Sequence, residues 1–218
     1  SNSIACANIM TNAAVAEALR QFADVLEAAA DFDAALHDLL RDTIRAHKRI
    51  IFNGNGYDDD WIREAEEERG LLNLRTTPDA LIRLVDQKNI DMLLRHRIYS
   101  EAEVRSRYEI QLENYIRTVR IEALTMVDMA RKQILPAVMA YASDLTAAIE
   151  RKRTVSPDLS ARCEIRLAGR LSALSDRIDG DIEELADAVK ALDALEDFKA
   201  AGDFVRDEII AKMAALRA

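Results

Sequence analysis

Apolar residues recur three and four apart from Leu159 to Leu192, through Cys163, Leu167, Leu171, Leu174, Ile178, Ile182, Leu185 and Val189. A spacing that alternates three and four keeps one stripe on one side of a helix and needs a second helix to cover it. The preceding segment supplies one. Ser100 and Glu103 form a capping-box pair, and Val104, Tyr108, Leu112, Tyr115, Val119, Ala123, Met126, Ala130 and Ile134 follow at the same spacing. Pro136 is expected to cost a hydrogen bond and kink this helix, with the stripe resuming at Met139, Leu145 and Ile149 as far as Arg151-Lys152-Arg153. Ser156-Pro157 reads as a cap followed by proline, the start of the returning helix. A last stripe of Phe198, Val205, Ile209, Met213 and Leu216 predicts a third helix alongside the pair. The fold class is therefore all-α: a helical bundle with a long antiparallel, coiled-coil-like helical hairpin.

The shorter helices lie upstream. Val15, Leu19, Phe22, Val25 and Leu26 mark one over Thr11 to Ala30. Asp31 caps the next, which carries Phe32, Leu36, Leu39, Leu40 and Ile44 and ends among Arg45, His47, Lys48 and Arg49, where the helix dipole favours cations. Asp58 to Asp60 cap a short helix through Trp61, Ile62 and Ala65 that Gly70 stops. Thr77-Pro78 opens another through Leu81, Ile82, Leu84 and Val85, and one more spans Asn89 to Arg97. The change from short to long helices at Tyr99-Ser100 divides the chain into residues 1–99 and residues 100–218. The opening Ser1-Asn2 reads as the remnant of a removed purification tag and the closing MAALRA stops in mid-helix, as in a piece cut from a longer chain.

Composition narrows the partners. The 218 residues include 6 glycines and 3 prolines, which leaves few breakers, and a formal charge of -9 repels phosphate backbones and anionic lipid. Neither nucleic acid nor membrane is an expected partner. The apolar stretch from Ile134 to Ala142 is far short of the ~20 residues that cross a bilayer. Cys6 and Cys163 stand apart without metal-ligand spacing, which fits a reducing, cytoplasmic location.

No constellation for catalysis stands out. His37, His47 and His96 make no helical ligand pair, and Glu64, Glu66, Glu67 and Glu68 read as a solvated face, so neither a catalytic nor a metal site is assigned. Arg105, Arg107, Arg117 and Arg120 are neutralised by Glu109, Glu113 and Glu122 and read as partners for neighbouring helices. The one sharp local feature is Asn53-Gly54-Asn55-Gly56-Tyr57. Glycines flanked by asparagines permit positive backbone angles and could aim amides at an anion, although the lysine of a phosphate loop is missing. The plainer reading is a helix-ending turn, with Tyr57 and Trp61 sealing it against the core.

Three strings carry more than periodicity: IFNGNGYDDDWIREAEEERGL from Ile51, SEAEVRSRYEIQLENY from Ser100 and IEALTMVDMARKQILPAV from Ile121. Together they resemble the C-terminal region of type III glutamine synthetases, the large bacterial form of the ATP-dependent glutamate-ammonia ligase. The opening SIACANIMTNAAVAEAL is also similar to that family, with Cys6-Ala7-Asn8 standing where glycine-proline-asparagine is expected. The resemblance implies a fragment without the upstream sheet domains that build the ATP, Mg or Mn, glutamate and ammonium sites, so no catalytic or cofactor residue is carried over and the fragment is expected to be inactive. It also implies a homo-oligomeric parent of two stacked six-membered rings. A scaffold or oligomerisation region is the first reading. A docking module for a regulatory protein or small effector, with the Asn53–Tyr57 turn as sensor, is the second.

Overall fold

A computed structural model describes residues 4–218, and helices account for 82% of the chain with no strand among the described residues. Ser1-Asn2 lies outside them. The chain divides into two compact units, one ending at Tyr108 and one running from Glu109 to Ala218.

In the first unit, α1 (Ala5–Glu27) packs on α2 (Phe32–Ala46) and on α5 (Gln87–Arg95). Asp31 caps α2 as its position predicts, accepting from the Ala34 amide at 3.1 Å. The short α3 (Asp59–Arg63) widens into a π-turn over Glu64–Glu68 and stops at Gly70, whose φ of +61° is the left-handed conformation that glycine adopts without penalty. α4 (Thr77–Leu81) is capped by Thr76 rather than Thr77. Thr77 itself takes the first helical position, which leaves Pro78 in the first turn where its missing amide costs nothing. The core is small: Ala13, Ile90, Leu93 and Val104, with Met10, Leu84, Val85, Met92, Ile98 and Tyr99 packed around them.

α6 (Glu101–Met129), a π-turn (Ala130–Ile134) and α7 (Leu135–Val155) form one continuous helix of 55 residues. The capping box closes reciprocally, the Ser100 amide donating to Glu103 Oε2 at 2.7 Å and the Glu103 amide to Ser100 Oγ at 3.3 Å. Pro136 does not end the helix. The Leu135 amide reaches back five residues to the Ala130 carbonyl, and this wider turn accommodates the proline ring and its missing donor.

The extra residue shifts the stripe by one. Leu112, Ile116, Val119, Ala123, Val127 and Ala130 are buried, but Ile134 and Met139, read from the sequence as inward, are 48% and 59% exposed. Leu135 and Val138 take the inward positions, and Leu145 and Ile149 are buried as expected.

The returning helix, α8 (Arg162–Asp193), starts five residues later than Ser156-Pro157 suggests. Ser156 instead holds a turn, its hydroxyl accepting from the Asp158 amide at 3.3 Å. Three cross-helix ion pairs fix the antiparallel register: Arg120 to Asp193 at 2.6 Å, Arg131 to Glu183 at 2.5 Å and Lys152 to Glu164 at 2.5 Å. As the position advances on the first helix, its partner retreats on the second. The α8 seam is unevenly buried. Ile182, Leu185, Val189 and Leu192 are buried, whereas Cys163 and Leu174 are exposed, and Leu159 lies before the helix begins. The last helix, α9 (Phe198–Phe204), a π-turn (Val205–Ile209) and α10 (Ile210–Arg217), packs on α8 through the π-turn and α10, with Lys212 pairing with Glu184 at 3.1 Å. Each fully buried Ile or Leu there stabilises the bundle by roughly 1.5–3 kcal/mol.

Candidate functional site

The Asn53–Tyr57 turn lies between the 3-10 turn Lys48–Ile50 and α3, and all five of its residues are exposed. The Asn55 side chain and carbonyl fold the turn back on itself. The Tyr57 amide donates to Asn55 Oδ1 at 3.1 Å, the Asp58 amide to the Asn55 carbonyl at 3.3 Å, and Asp58 then caps α3 by accepting from the Asp60 amide at 3.1 Å. Neither glycine adopts a positive φ; among the described residues that conformation occurs at Gly70 and Arg97. The amide cradle permitted by the sequence is therefore not formed.

Gly54 is required for space rather than for its angle. A Cβ built there would lie 2.6 Å from Phe52 Cζ, so the ring would have to shift. It stacks on Trp61 with centroids 3.7 Å apart and planes 16° from parallel, and the Arg69 guanidinium sits 4.8 Å from the Trp61 ring and 6.0 Å from Phe52. Arg69 also donates Nη1 to the carbonyls of Arg49 at 3.1 Å and Ile51 at 2.9 Å, and Nε to Glu64 at 2.8 Å. Trp61 thus helps to close the turn. Tyr57 does not, being 97% exposed. Sequence reasoning missed Arg69 because it pairs with Glu64 five residues away, a spacing that only the π-turn brings together.

A second polar centre had no signal in the sequence. Glu17 on α1 accepts from Arg20 and Gln21 of its own helix, pairs with Arg95 at 2.5 Å, and lies 2.8 Å from His96 Nε2, linking α1 to the end of α5 across 78 and 79 residues of sequence. Hydrogen bonds from Arg20, then Gln21, and then His96 hold its carboxyl far below the ordinary carboxylate range. A carboxylate so fixed serves as a clasp and is a poor proton acceptor.

Among the described residues no group of His, Cys, Asp and Glu converges to hold a metal ion, and the donor set does not fit Mg or Mn. The arginines on α6 are engaged structurally: Arg105 with Glu101 at 2.7 Å, Arg117 with Glu113 at 2.7 Å, Arg120 in a two-pronged bond to Asp193, and Arg107 over the Tyr99 ring at 4.2 Å.

Comparison with known proteins supplies what the geometry alone does not. The glutamine synthetase C-terminal domain family matches residues 35–153. A glutamine synthetase of Butyrivibrio fibrisolvens is 34% identical over 180 residues, 83% of this chain and 26% of that protein. The type-3 glutamine synthetase of Dictyostelium discoideum is 34% identical over 144 residues, 65% of this chain and 20% of that protein. A glutamine synthetase of Bacteroides fragilis is 30% identical over 205 residues, 89% of this chain and 28% of that protein. The chain thus spans about a quarter of the length of the curated relatives it matches.

Proposed function

The chain belongs to the glutamine synthetase C-terminal domain family, and from that membership we propose that it is the non-catalytic helical part of an ATP-dependent glutamate-ammonia ligase, serving as packing surface for the catalytic core and for other subunits. The observation that carries this is an apolar face left bare on α1, where Val15 and Leu19, one turn apart, are each more than half exposed. Such a row on a helix whose other side is already packed calls for a partner surface. In this reading ATP and Mg or Mn act in parts of the parent that this chain does not contain. The parent is a cytoplasmic homo-oligomer of two stacked six-membered rings. Among the described residues no helix is long and apolar enough to cross a membrane.

Calorimetric titration with ATP and magnesium, alongside an assay of glutamine formation, tests the division of labour. The chain alone should neither bind nucleotide nor form glutamine. Nucleotide binding would place part of the active site here and overturn the reading. One observation favours the second role as a regulatory docking module: Tyr57 stands fully out on a turn anchored by stacked rings. In the whole enzyme, replacing Asn53 and Asn55 with alanine would then change effector response, whereas a plain turn would lose only stability.

A further inference from the structure

Helix α8 carries a second stripe, on the side away from the hairpin seam. Arg162, Ile165, Gly169, Ser172, Asp176 and Asp179 recur three and four apart, as the seam does, and all six are exposed. Ile165 is the one large apolar side chain among them. Gly169 has nothing within 4 Å of where a Cβ would stand. A glycine inside a helix weakens it, and no close contact within the chain requires this one.

The charges on α8 sort by what holds them. Glu164 is paired with Lys152, Asp181 with Arg177, Glu183 with Arg131, Glu184 with Lys212, Asp187 with Lys190 and Asp193 with Arg120. Among the described residues no ion pair holds the other five. Three of these are cations toward the start of the helix, Arg162, Arg166 and Arg170, and two are anions near its middle, Asp176 and Asp179. At the hairpin tip Glu150 and Asp158 offset Arg151 and Arg153, so the positive excess at the start of α8 stands.

This face is its own complement. Counted from the midpoint between Arg170 and Leu171, Arg162 and Asp179 stand at equal distances on opposite sides, as do Ile165 and Asp176, and Gly169 and Ser172. Two α8 helices laid antiparallel about a twofold axis through that midpoint set Arg162 of one against Asp179 of the other. Arg166, next to Ile165, comes to Asp176, and the small residues meet at the crossing, where the backbones are closest. The span from Arg162 to Asp179 rises about 25 Å, and a shallow crossing keeps both pairs within reach. A partner of a single sign, such as a nucleic acid or an anionic membrane, attracts the arginines and is repelled by the aspartates. A second copy satisfies both.

We propose that α8 pairs antiparallel with α8 of a second copy of this chain through this face. The contact is isologous, so it closes as a dimer and does not propagate. Its charges are exposed, which makes it weak and salt-sensitive, suited to joining copies already held in a larger assembly. The proposal rests on the reading of the chain as an assembly region and names the surface that meets its like.

The test uses the whole 218-residue chain in two charge-reversed forms, an acidic one with Arg162→Glu and Arg166→Glu and a basic one with Asp176→Lys and Asp179→Lys. All four positions are exposed, and circular dichroism checks that helix content is kept. In sedimentation equilibrium at low salt, up to about 1 mM, the parent should form a dimer. Each reversed form alone opposes like charges at both pairs and should associate at least about tenfold more weakly. An equimolar mixture should regain a one-to-one dimer within about threefold of the parent's affinity, because every acidic position then meets a basic one. A parent that stays monomeric, a reversed form that associates like the parent, or a mixture that associates no better than its components overturns the proposal. If the parent associates and both reversed forms do so equally, this contact fails while the wider assembly reading stands, and Leu19→Asp then tests the α1 face.

Discussion

Residues 52 to 70 show how single side chains decide local structure. Gly54 is needed because the Phe52 ring occupies the space of its missing Cβ, while Gly56 has nothing within 4 Å. Gly54→Ala should therefore push Phe52 off Trp61 and cost roughly 1–3 kcal/mol, as overpacking does, and the change is read by chemical denaturation followed through Trp61 fluorescence. Gly56→Ala should stay within about 0.5 kcal/mol of the parent. At Glu17 the prediction concerns pH. Hydrogen bonds from Arg20, Gln21 and His96 lower its folded pKa below the unfolded value, so between the two the unfolded chain binds more protons. The stability it contributes is present above the unfolded value, near 4.3, and is lost as pH falls toward the folded one. Thermal melts should show the parent well above Glu17→Gln at pH 6 and the gap narrowing by pH 3. A gap that does not change with pH would contradict the clasp.

Caps and stripes made most helices legible in the sequence. Asp31, the Ser100–Glu103 pair and Gly70 act as local chemistry predicts because each needs only neighbours within a few residues. One error arises where the backbone leaves the α register, and others fall inside α6, where Ile116 and Val127 are buried one place beyond Tyr115 and Met126. A stripe counted in threes and fours continues from Ala130 to Ile134, but the π-turn at Pro136 inserts one residue and passes the inward position to Leu135. No periodicity predicts that slip in advance. Its consequence is testable by an alanine pair: Leu145→Ala should cost about 2–3 kcal/mol and Met139→Ala, on the solvent side, under about 0.5 kcal/mol, both measured by urea unfolding. The Asn53–Tyr57 turn was recognisable as a break, but its rigidity comes from Arg69 and Trp61 beyond the α3 cap, and the clasp at Glu17 depends on residues 78 and 79 positions away. Long-range polar contacts leave no spacing to read.

For the whole molecule, the proposed reading takes helices that bury one face and leave another bare as packing surface for a larger enzyme. The match to about a quarter of the length of each relative fits that reading. On this account the chain provides surface and its parent provides chemistry. The most direct measurement compares three forms of the Butyrivibrio fibrisolvens enzyme: intact, with the matching segment deleted, and with that segment replaced by this chain. Assembly is followed by light scattering and activity by glutamine formation. The account predicts that deletion abolishes assembly and activity together and that the replacement restores assembly. A deleted enzyme that still assembles and forms glutamine at the intact rate would contradict it.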